Sequence, residues 1–201
     1  MAGGRASRYP APMRNAAIGC TGALVLLVLA VVGLAAFGSK DWTVARSVVI
    51  ERPPADVHAE VADLRRWVGR RDPAPARGWS TWIQDANPTW QYEFQGEPGA
   101  GQSVAWTSDR DLVCHMTITR ADPQTGIEYD LVIDGFPSSV QGVIAYQPHE
   151  AVPGATLVTW TTTGERTDML GGFFARVMDP VLGTKVEQDL RRLRDRLRPP
   201  E

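Results

Sequence analysis

The 201 residues carry 21 basic and 23 acidic side chains, a formal net charge of −2 and a composition ordinary for a globular protein. This length is enough for one domain with a real hydrophobic core and a modest appendage. Setting aside the three arginines that precede residue 16 leaves 18 basic residues against 23 acidic ones. Because binding to nucleic acid depends on clustered Lys and Arg, this balance argues against a nucleic-acid partner.

The cysteines and histidines give no sign of a metal or a disulfide. Cys20 lies in an apolar run and Cys114 in a strand-like segment, so the two thiols are expected in different environments. His58, His115 and His149 are far apart in sequence, and none belongs to a local zinc motif. We therefore expect neither a metal nor a cofactor.

The N-terminal part of the chain is typical of a membrane anchor. Residues 16–38 contain no charged side chain and slightly exceed the roughly 20 residues that span a bilayer. A short basic tail, residues 1–15, precedes this run, and residues 39–42 link it to the remainder. The positive-inside tendency predicts a single-pass protein with a cytoplasmic N-terminus and an extracytoplasmic domain. A cleaved signal peptide, with a small-residue site at 36–38, is the alternative.

The remainder begins with a strand and a helix. Residues 43–51 are rich in β-branched side chains and predict a strand. Pro53 and Pro54 then stand where a helix commonly begins, and apolar residues recur at helical spacing over 55–68. Residues 69–80 are dense in Pro, Gly and Arg and predict a loop.

Strands joined by short turns follow, and one long helix closes the chain. Alternating or β-branched patterns predict strands in TWQYEFQG, SVAWTS, LVCHMTITR, IEYDLVID, VQGVIAYQP and ATLVTWTTTGE. Helical spacing predicts a helix from about Met169 to Leu197. Consecutive strands with turn-length connections form antiparallel sheets, so the predicted class is α+β. The C-terminal helix is the long element left to cover the apolar face of that sheet.

Four motifs follow one another over residues 42–197. The first is ARSVVIERPPADVHAEVADLRRW, in which a strand leads through Pro-Pro-Ala into a helix ending Asp-Leu-x-x-Trp. Next come Glu97–Gly101 with Trp106, the strand Gly154–Trp160 followed by Gly164, and Met178–Gly183, which reads Met-Asp-x-x-x-Gly. In this order they resemble the SRPBCC superfamily, the START-like or helix-grip fold, and in particular its polyketide cyclase/dehydrase branch. The resemblance implies a curved antiparallel sheet of about six to seven strands around a long C-terminal helix, over residues 43–198.

Members of this superfamily grip an apolar ligand between the sheet and the last helix. The expected cavity residues are Phe94, Trp106, Met116, Tyr129, Trp160, Phe173, Phe174, Val177 and Met178. An apolar lining with few polar groups favours a non-catalytic binder of a lipid or another apolar small molecule, tethered to the membrane through residues 16–38. Two alternatives remain open: a cyclase-like or hydrolytic enzyme using polar cavity residues, and a tethered interaction module without a ligand.

The candidate catalytic groups are few. His115 shares a strand face with Thr117 and Thr119, opposite Met116, so it is expected to face solvent, and it becomes a candidate general base only if the faces are reversed. Cys114 is expected to be a small buried residue. The acidic side chains of the strand segments, Glu93, Glu128, Asp130 and Asp134, are expected on the outer face of the sheet.

The last helix carries two apolar stripes. Phe173, Phe174, Val177, Met178 and Val181 cluster around one direction of an ideal helical wheel, and Val186, Leu190, Leu193 and Leu197 cluster about 150° away. A bend near Pro180 and Gly183 would let an aromatic half seal the cavity while a leucine half clamps the sheet. The alternative is a straight helix whose first half is buried on several sides.

Overall fold

The computed structural model describes residues 22, 25–27, 29–33, 39–70, 76–81, 90–107, 113–135, 138–166 and 171–198. The described residues between 22 and 33 are helical. Within the described part of the chain, no helix has both the length and the apolar character needed to cross a membrane. Most of the predicted anchor, residues 16–38, lies outside the described residues, and so does the predicted tail, residues 1–15.

Seven antiparallel strands form one sheet, and their order along the sheet is β1-β9-β8-β7-β6-β5-β4. Their bounds are Asp41–Ile50 (β1), Tyr92–Gln95 (β4), Ser103–Thr107 (β5), Val113–Asp122 (β6), Gly126–Ile133 (β7), Ser138–Pro148 (β8) and Thr156–Arg166 (β9). Two short strands, Gly69–Arg70 (β2) and Ala76–Arg77 (β3), pair separately inside the predicted loop. The helices are Pro54–Val61 (α1), Leu64–Val68 (α2) and Gly171–Arg196 (α3). The predicted α+β class and the sheet gripping a long terminal helix are confirmed.

The single helix predicted over 55–68 is divided into α1 and α2. Asp63 interrupts it, because its side chain accepts a hydrogen bond from the Arg65 amide and caps the second helix. Gln102, fully buried at the start of β5, fixes this corner to the sheet. Its side chain accepts from the Leu64 amide at 2.7 Å and donates to Asp63 at 3.0 Å.

Helix α3 runs alongside β1 and in the same direction. Gly171 packs against Lys40 at the start of β1, and Arg52 just after β1 donates to the carbonyl of Leu197 at 2.9 Å. Midway, Arg46 forms an ion pair with Asp179 at 3.0 Å. A Cβ at Gly183 would collide with the Arg46 guanidinium, so the glycine of the Met-Asp-x-x-x-Gly motif leaves room for this arginine.

One stripe of α3 faces the sheet along its whole length, which corrects the prediction of two stripes and a bend. Its members are spaced by three or four residues: Gly171, Ala175, Met178, Leu182, Val186, Asp189 and Leu193. Phe173 and Val181 instead face outward, with 45 % and 60 % of their surfaces exposed. Pro180 lies on the exposed side within a continuous helix, where water can satisfy the carbonyl that a proline leaves without an amide donor.

Candidate functional site

The register of the sheet places the predicted interior residues in rows across its concave face. One row of directly paired residues runs from β1 to β4: Trp42, Gly164, Val140, Leu131, Met116, Val104 and Phe94. A parallel row nearer the start of β1 contains Tyr92, Trp106, Cys114 and Ile133. The sequence-predicted residues Phe94, Trp106, Met116, Tyr129 and Trp160 therefore lie on the face that the helices cover.

An aromatic cluster fills the middle of this face. Trp67 lies with its ring centroid 4.6 Å from that of Trp79, 5.4 Å from that of Trp160 and 5.8 Å from that of Tyr129. All four side chains are at most 1 % exposed. Tyr129 can lie across β8 because residue 142 is glycine, where an added Cβ would collide with the tyrosine ring. This part of the interior is occupied by the protein's own aromatic rings.

Trp79 is held in the interior by polar contacts on both sides of it. Its indole nitrogen donates to the carbonyl of Glu60 at 3.3 Å. The next two residues bind the fully buried carboxylate of Asp189 on α3, because the Ser80 hydroxyl donates at 2.9 Å and the Thr81 amide at 2.5 Å. We call residues 79–81 with Asp189 the Trp79 latch. Sequence reasoning missed it, since the tryptophan belongs to a segment predicted as an ordinary loop.

Tyr129 is the polar group at the centre of the cluster. Its hydroxyl accepts from the Trp160 indole nitrogen at 2.9 Å. Burial raises the pKa of Tyr129 well above its ordinary value, and the carboxylate of Asp189 acts in the same direction. The phenol therefore stays protonated at neutral pH and is suited to orienting neighbours rather than to removing protons.

The interior is less completely covered at the end where β1 starts. In the row nearest that end, Tyr92 and Ile133 are only partly buried. Phe174 and Met178, from the first half of α3, are also partly buried and pack against the same core. We call this region the half-exposed end; it consists of Tyr92, Trp106, Cys114, Ile133, Phe174 and Met178. Its partly exposed side chains are apolar or aromatic, whereas Trp106 and Cys114 within it are buried.

The thiol at this end is poorly suited to nucleophilic chemistry. Cys114 is 8 % exposed, as expected for a small buried residue. Burial raises the pKa of the Cys114 thiol, and the nearby Asp134 carboxylate raises it further. Because the thiolate is the reactive form, a raised pKa lowers reactivity at neutral pH.

The opposite end of α3 is fixed by charged groups. Glu60 on α1 forms ion pairs with Arg66 on α2 and with Arg196 on α3, the latter at 2.7 Å. The Glu60 carboxylate is largely buried, with 12 % of its side chain exposed, and its ion pairs join α1 to α2 and to α3. The helix is thus fixed by ion pairs at its C-terminal end, whereas the apolar side chains of Phe174 and Met178 in its first half are only partly buried.

His115 lies on the outer face of the sheet, as expected, and not in the interior. Its side chain is 51 % exposed and its Nε2 atom is 3.9 Å from Asp134. The other strand acids are also on this face, where Glu128 pairs with Arg120 at 3.0 Å and Asp130 accepts from Gln141 at 3.1 Å. A role for His115 as a general base acting on an interior guest is not supported by this placement.

His58, on α1, is partly buried against Tyr146 of β8. Its ring meets that of Tyr146 edge-on at 6.0 Å, and the His58 Nδ1 and the Tyr146 hydroxyl are both buried without a hydrogen-bond partner among the described residues. Burial lowers the pKa of His58 and raises that of Tyr146. The side chain lies off the Val57–Val61 stripe of α1, so helical periodicity alone gave no signal of this contact.

Two surface clefts have charged rims and share no residue with the predicted cavity. One, of about 300 Å³, is lined by Val49, Glu51, Arg194, Leu197 and Arg198. The other, of about 250 Å³, is lined by Asp41, Trp42, Thr43, Gln141, Thr163, Gly164 and Glu165. Within the described ranges, no three His, Cys, Asp or Glu side chains are grouped in a way that could hold a metal ion.

Comparison with known proteins gives one family and a set of structural neighbours. Residues 41–198 match the family described as polyketide cyclase / dehydrase and lipid transport. No curated protein matches the sequence.

Three solved structures illustrate the likeness of fold. Norcoclaurine synthase of Thalictrum flavum, a point mutant in complex with a transition-state analogue, is 9 % identical with a TM-score of 0.54 over 78 % of this chain and 94 % of that one. A protein of Thermus thermophilus is 17 % identical with a TM-score of 0.53, over 77 % and 96 % of the two chains. A protein of Thermobifida fusca is 18 % identical with a TM-score of 0.53, over 77 % and 92 %. Identities this low establish a common fold and no more.

Proposed function

Because the chain belongs to the polyketide cyclase / dehydrase and lipid transport family, we propose that it binds an apolar small molecule or lipid without transforming it. The guest sits at the half-exposed end, between the sheet and the first half of α3. The observation that carries the proposal is the incomplete cover of an apolar surface: Tyr92, Ile133, Phe174 and Met178 continue the core but remain partly exposed.

The composition of this surface favours a flexible apolar guest. Phe174 offers a partly exposed aromatic ring and Met178 an unbranched, polarisable side chain that adapts to irregular shapes. Removing apolar surface from water stabilises the complex by about 25 cal/mol per Å². A guest that covers these side chains therefore gains affinity without a charged partner.

The polar groups of the described interior support binding rather than catalysis. Asp189 is engaged by Ser80 and Thr81, and Tyr129 by Trp160, so each is used in holding the protein together. A general acid or base needs a pKa near the working pH, whereas the pKa of Tyr129 is raised far from it.

The second part of the proposal is that residues 16–38 anchor the domain to a membrane, with the domain on the extracytoplasmic side. Its support is the uncharged apolar run with arginines before it. Side chains of the described helical residues in this run are also largely exposed, for example Leu26 at 69 % and Leu27 at 61 %. Such surface is uncommon in water and suits a lipid environment.

Native mass spectrometry of the full chain, extracted from washed membranes in mild detergent, tests the binding proposal. The expected spectrum shows the protein with one apolar guest, and Met178→Arg lowers the guest-bound fraction at least tenfold. Gln188→Arg is the matched control, since it places the same charge on an exposed position of the same helix. A guest-free spectrum of the unmodified protein, or equal occupancy in both variants, contradicts the proposal.

A further inference from the structure

The half-exposed end of the fold lies next to the point at which the chain leaves the predicted anchor. Residues 16–38 end only two residues before β1, which begins at Asp41. Lys40 contacts Gly171, the first residue of α3, and its carbonyl accepts from the Arg166 amide at 3.2 Å. The beginning of α3 is therefore within a few residues of the proposed bilayer boundary.

The outward face of α3 at this end carries apolar side chains that the domain leaves uncovered. Phe173 is 45 % exposed and Val181 is 60 % exposed, and Val177 lies between them on the same face with partial exposure. Phe173 follows Gly171 by two residues, so it is about 3 Å along the helix axis from the contact with Lys40. We call Phe173, Val177 and Val181 the outer stripe.

The outer stripe and the α3 residues of the half-exposed end project from different sides of the same turns of the helix. Phe174 and Met178 belong to the same two turns of α3 as Phe173 and Val177, but they point toward the sheet. The first half of the helix thus has apolar side chains on both sides, one toward the proposed guest and one toward the outside. A helix in water normally carries polar side chains on its outer face.

The charges around the outer stripe are nearly balanced. Within the length of the outer stripe, α3 carries one cation, Arg176, and one anion, Asp179, which pairs with Arg46 at 3.0 Å. The Arg166 guanidinium lies 4.9 Å from the centre of the Phe174 ring. Attraction of the outer stripe to a membrane surface would therefore depend on apolar contact, as it does for aromatic side chains that lie at membrane interfaces.

We propose that the outer stripe inserts into the interface of the bilayer that anchors the chain, so that the half-exposed end opens toward lipid. The inference rests on the proposed function, and it names the source of the guest: an apolar or amphiphilic component of that bilayer. Such a molecule passes between the bilayer and the space under α3 while its apolar part stays out of water. The transfer involves no covalent step.

Photocrosslinking of the full chain in liposomes tests this arrangement. The photoreactive residue p-benzoyl-L-phenylalanine is placed at position 173 in one variant and at position 152 in another. Val152 is a matched control, because it is exposed and apolar but lies in the turn at the other end of β8 and β9. That turn is about 30 Å from the start of β1, given a rise of about 3.3 Å per strand residue.

The expected result is a lipid adduct at position 173 at least five times more abundant than at position 152. Equal yields at the two positions, or adducts at position 173 that join two copies of the chain, overturn the proposal. Intact-mass analysis of the same samples shows which of the two proposals fails. A chain that begins near residue 39 would contradict the proposal that residues 16–38 anchor the protein. An intact, membrane-bound chain without adducts at position 173 would contradict only the proposal that the outer stripe inserts into the bilayer.

Discussion

The Trp79 latch predicts a large loss of stability when its carboxylate is removed. Asp189 is fully buried and accepts hydrogen bonds from Ser80 and from the Thr81 amide. A hydrogen bond to a charged group contributes about 1.5–3 kcal/mol, so the two bonds together give roughly 3–6 kcal/mol. Removing a buried charge recovers part of its desolvation cost, on the order of 1 kcal/mol, which leaves an expected loss of about 2–5 kcal/mol for Asp189→Ala.

Urea unfolding of the full chain in mild detergent, followed by tryptophan fluorescence, measures this loss because Trp67 and Trp79 become exposed together. Asp195→Ala is the control, since it removes an exposed carboxylate from the same helix and should change the free energy of unfolding by less than about 0.5 kcal/mol. Combining Asp189→Ala with Ser80→Ala should reveal a coupling energy of about 1 kcal/mol or more. A loss below about 1 kcal/mol for Asp189→Ala, or strict additivity of the pair, would refute the latch.

Three further changes test other parts of the account. Gly142→Ala should lower the free energy of unfolding by about 1–3 kcal/mol, because the new methyl group meets the Tyr129 ring. In a Cys20→Ser background, Cys114 should react with iodoacetamide at pH 8 at least tenfold more slowly in the folded protein than in urea, since it is buried and its pKa is raised. The pKa of His58 is lowered in the folded protein, so the unfolded state binds more protons than the folded state near and below about pH 6.5. The free energy of unfolding of the native protein should therefore fall more between pH 7 and pH 5 than that of the His58→Gln variant.

A specific result would contradict each of these three predictions. Unchanged stability of Gly142→Ala, with exposed Gln141→Ala as the reference, would mean that Tyr129 does not pack against β8 as described. Equal alkylation rates in folded and unfolded protein would place Cys114 at the surface. Parallel pH profiles for the native protein and His58→Gln would show that His58 is solvated after all.

The sheet was predictable from the sequence because strand alternation directly reports which face is buried. Met116 and Ile118 point inward while His115 and Thr117 point outward, as the period of two requires. The turn-length connections likewise fixed the antiparallel pairing.

The arrangement of α3 was not predictable by counting apolar residues. Gly171 and Ala175 are small, and Asp189 is charged, yet all three belong to the stripe that faces the sheet. The apolar residues that stood out, Phe173 and Val181, lie on the other side. A helical wheel judged by hydrophobicity alone thus placed Phe173 in the interior. Close approach of α3 to the sheet instead required small residues at the sheet-facing positions of its first turns.

The latch was not predictable because its parts are 109 residues apart in sequence. Ser80 and Trp79 follow a segment rich in Pro, Gly and Arg, which signals a loop but not its destination. Long-range polar contacts of this kind leave no periodic pattern. Only the fold brings Asp189 to Ser80.

Photolabelling with a long-chain alkyl diazirine, followed by peptide mapping of the full chain, tests the binding site most directly. The account predicts adducts in peptides that contain Trp106, Cys114 and Met178, three residues of the half-exposed end. Met178→Arg should abolish labelling of the Trp106 and Cys114 peptides, whereas Gln188→Arg should not. Adducts confined to residues 16–38 or to the outer face around Glu128 and Asp130, with none in the Trp106 and Cys114 peptides, would contradict the central claim.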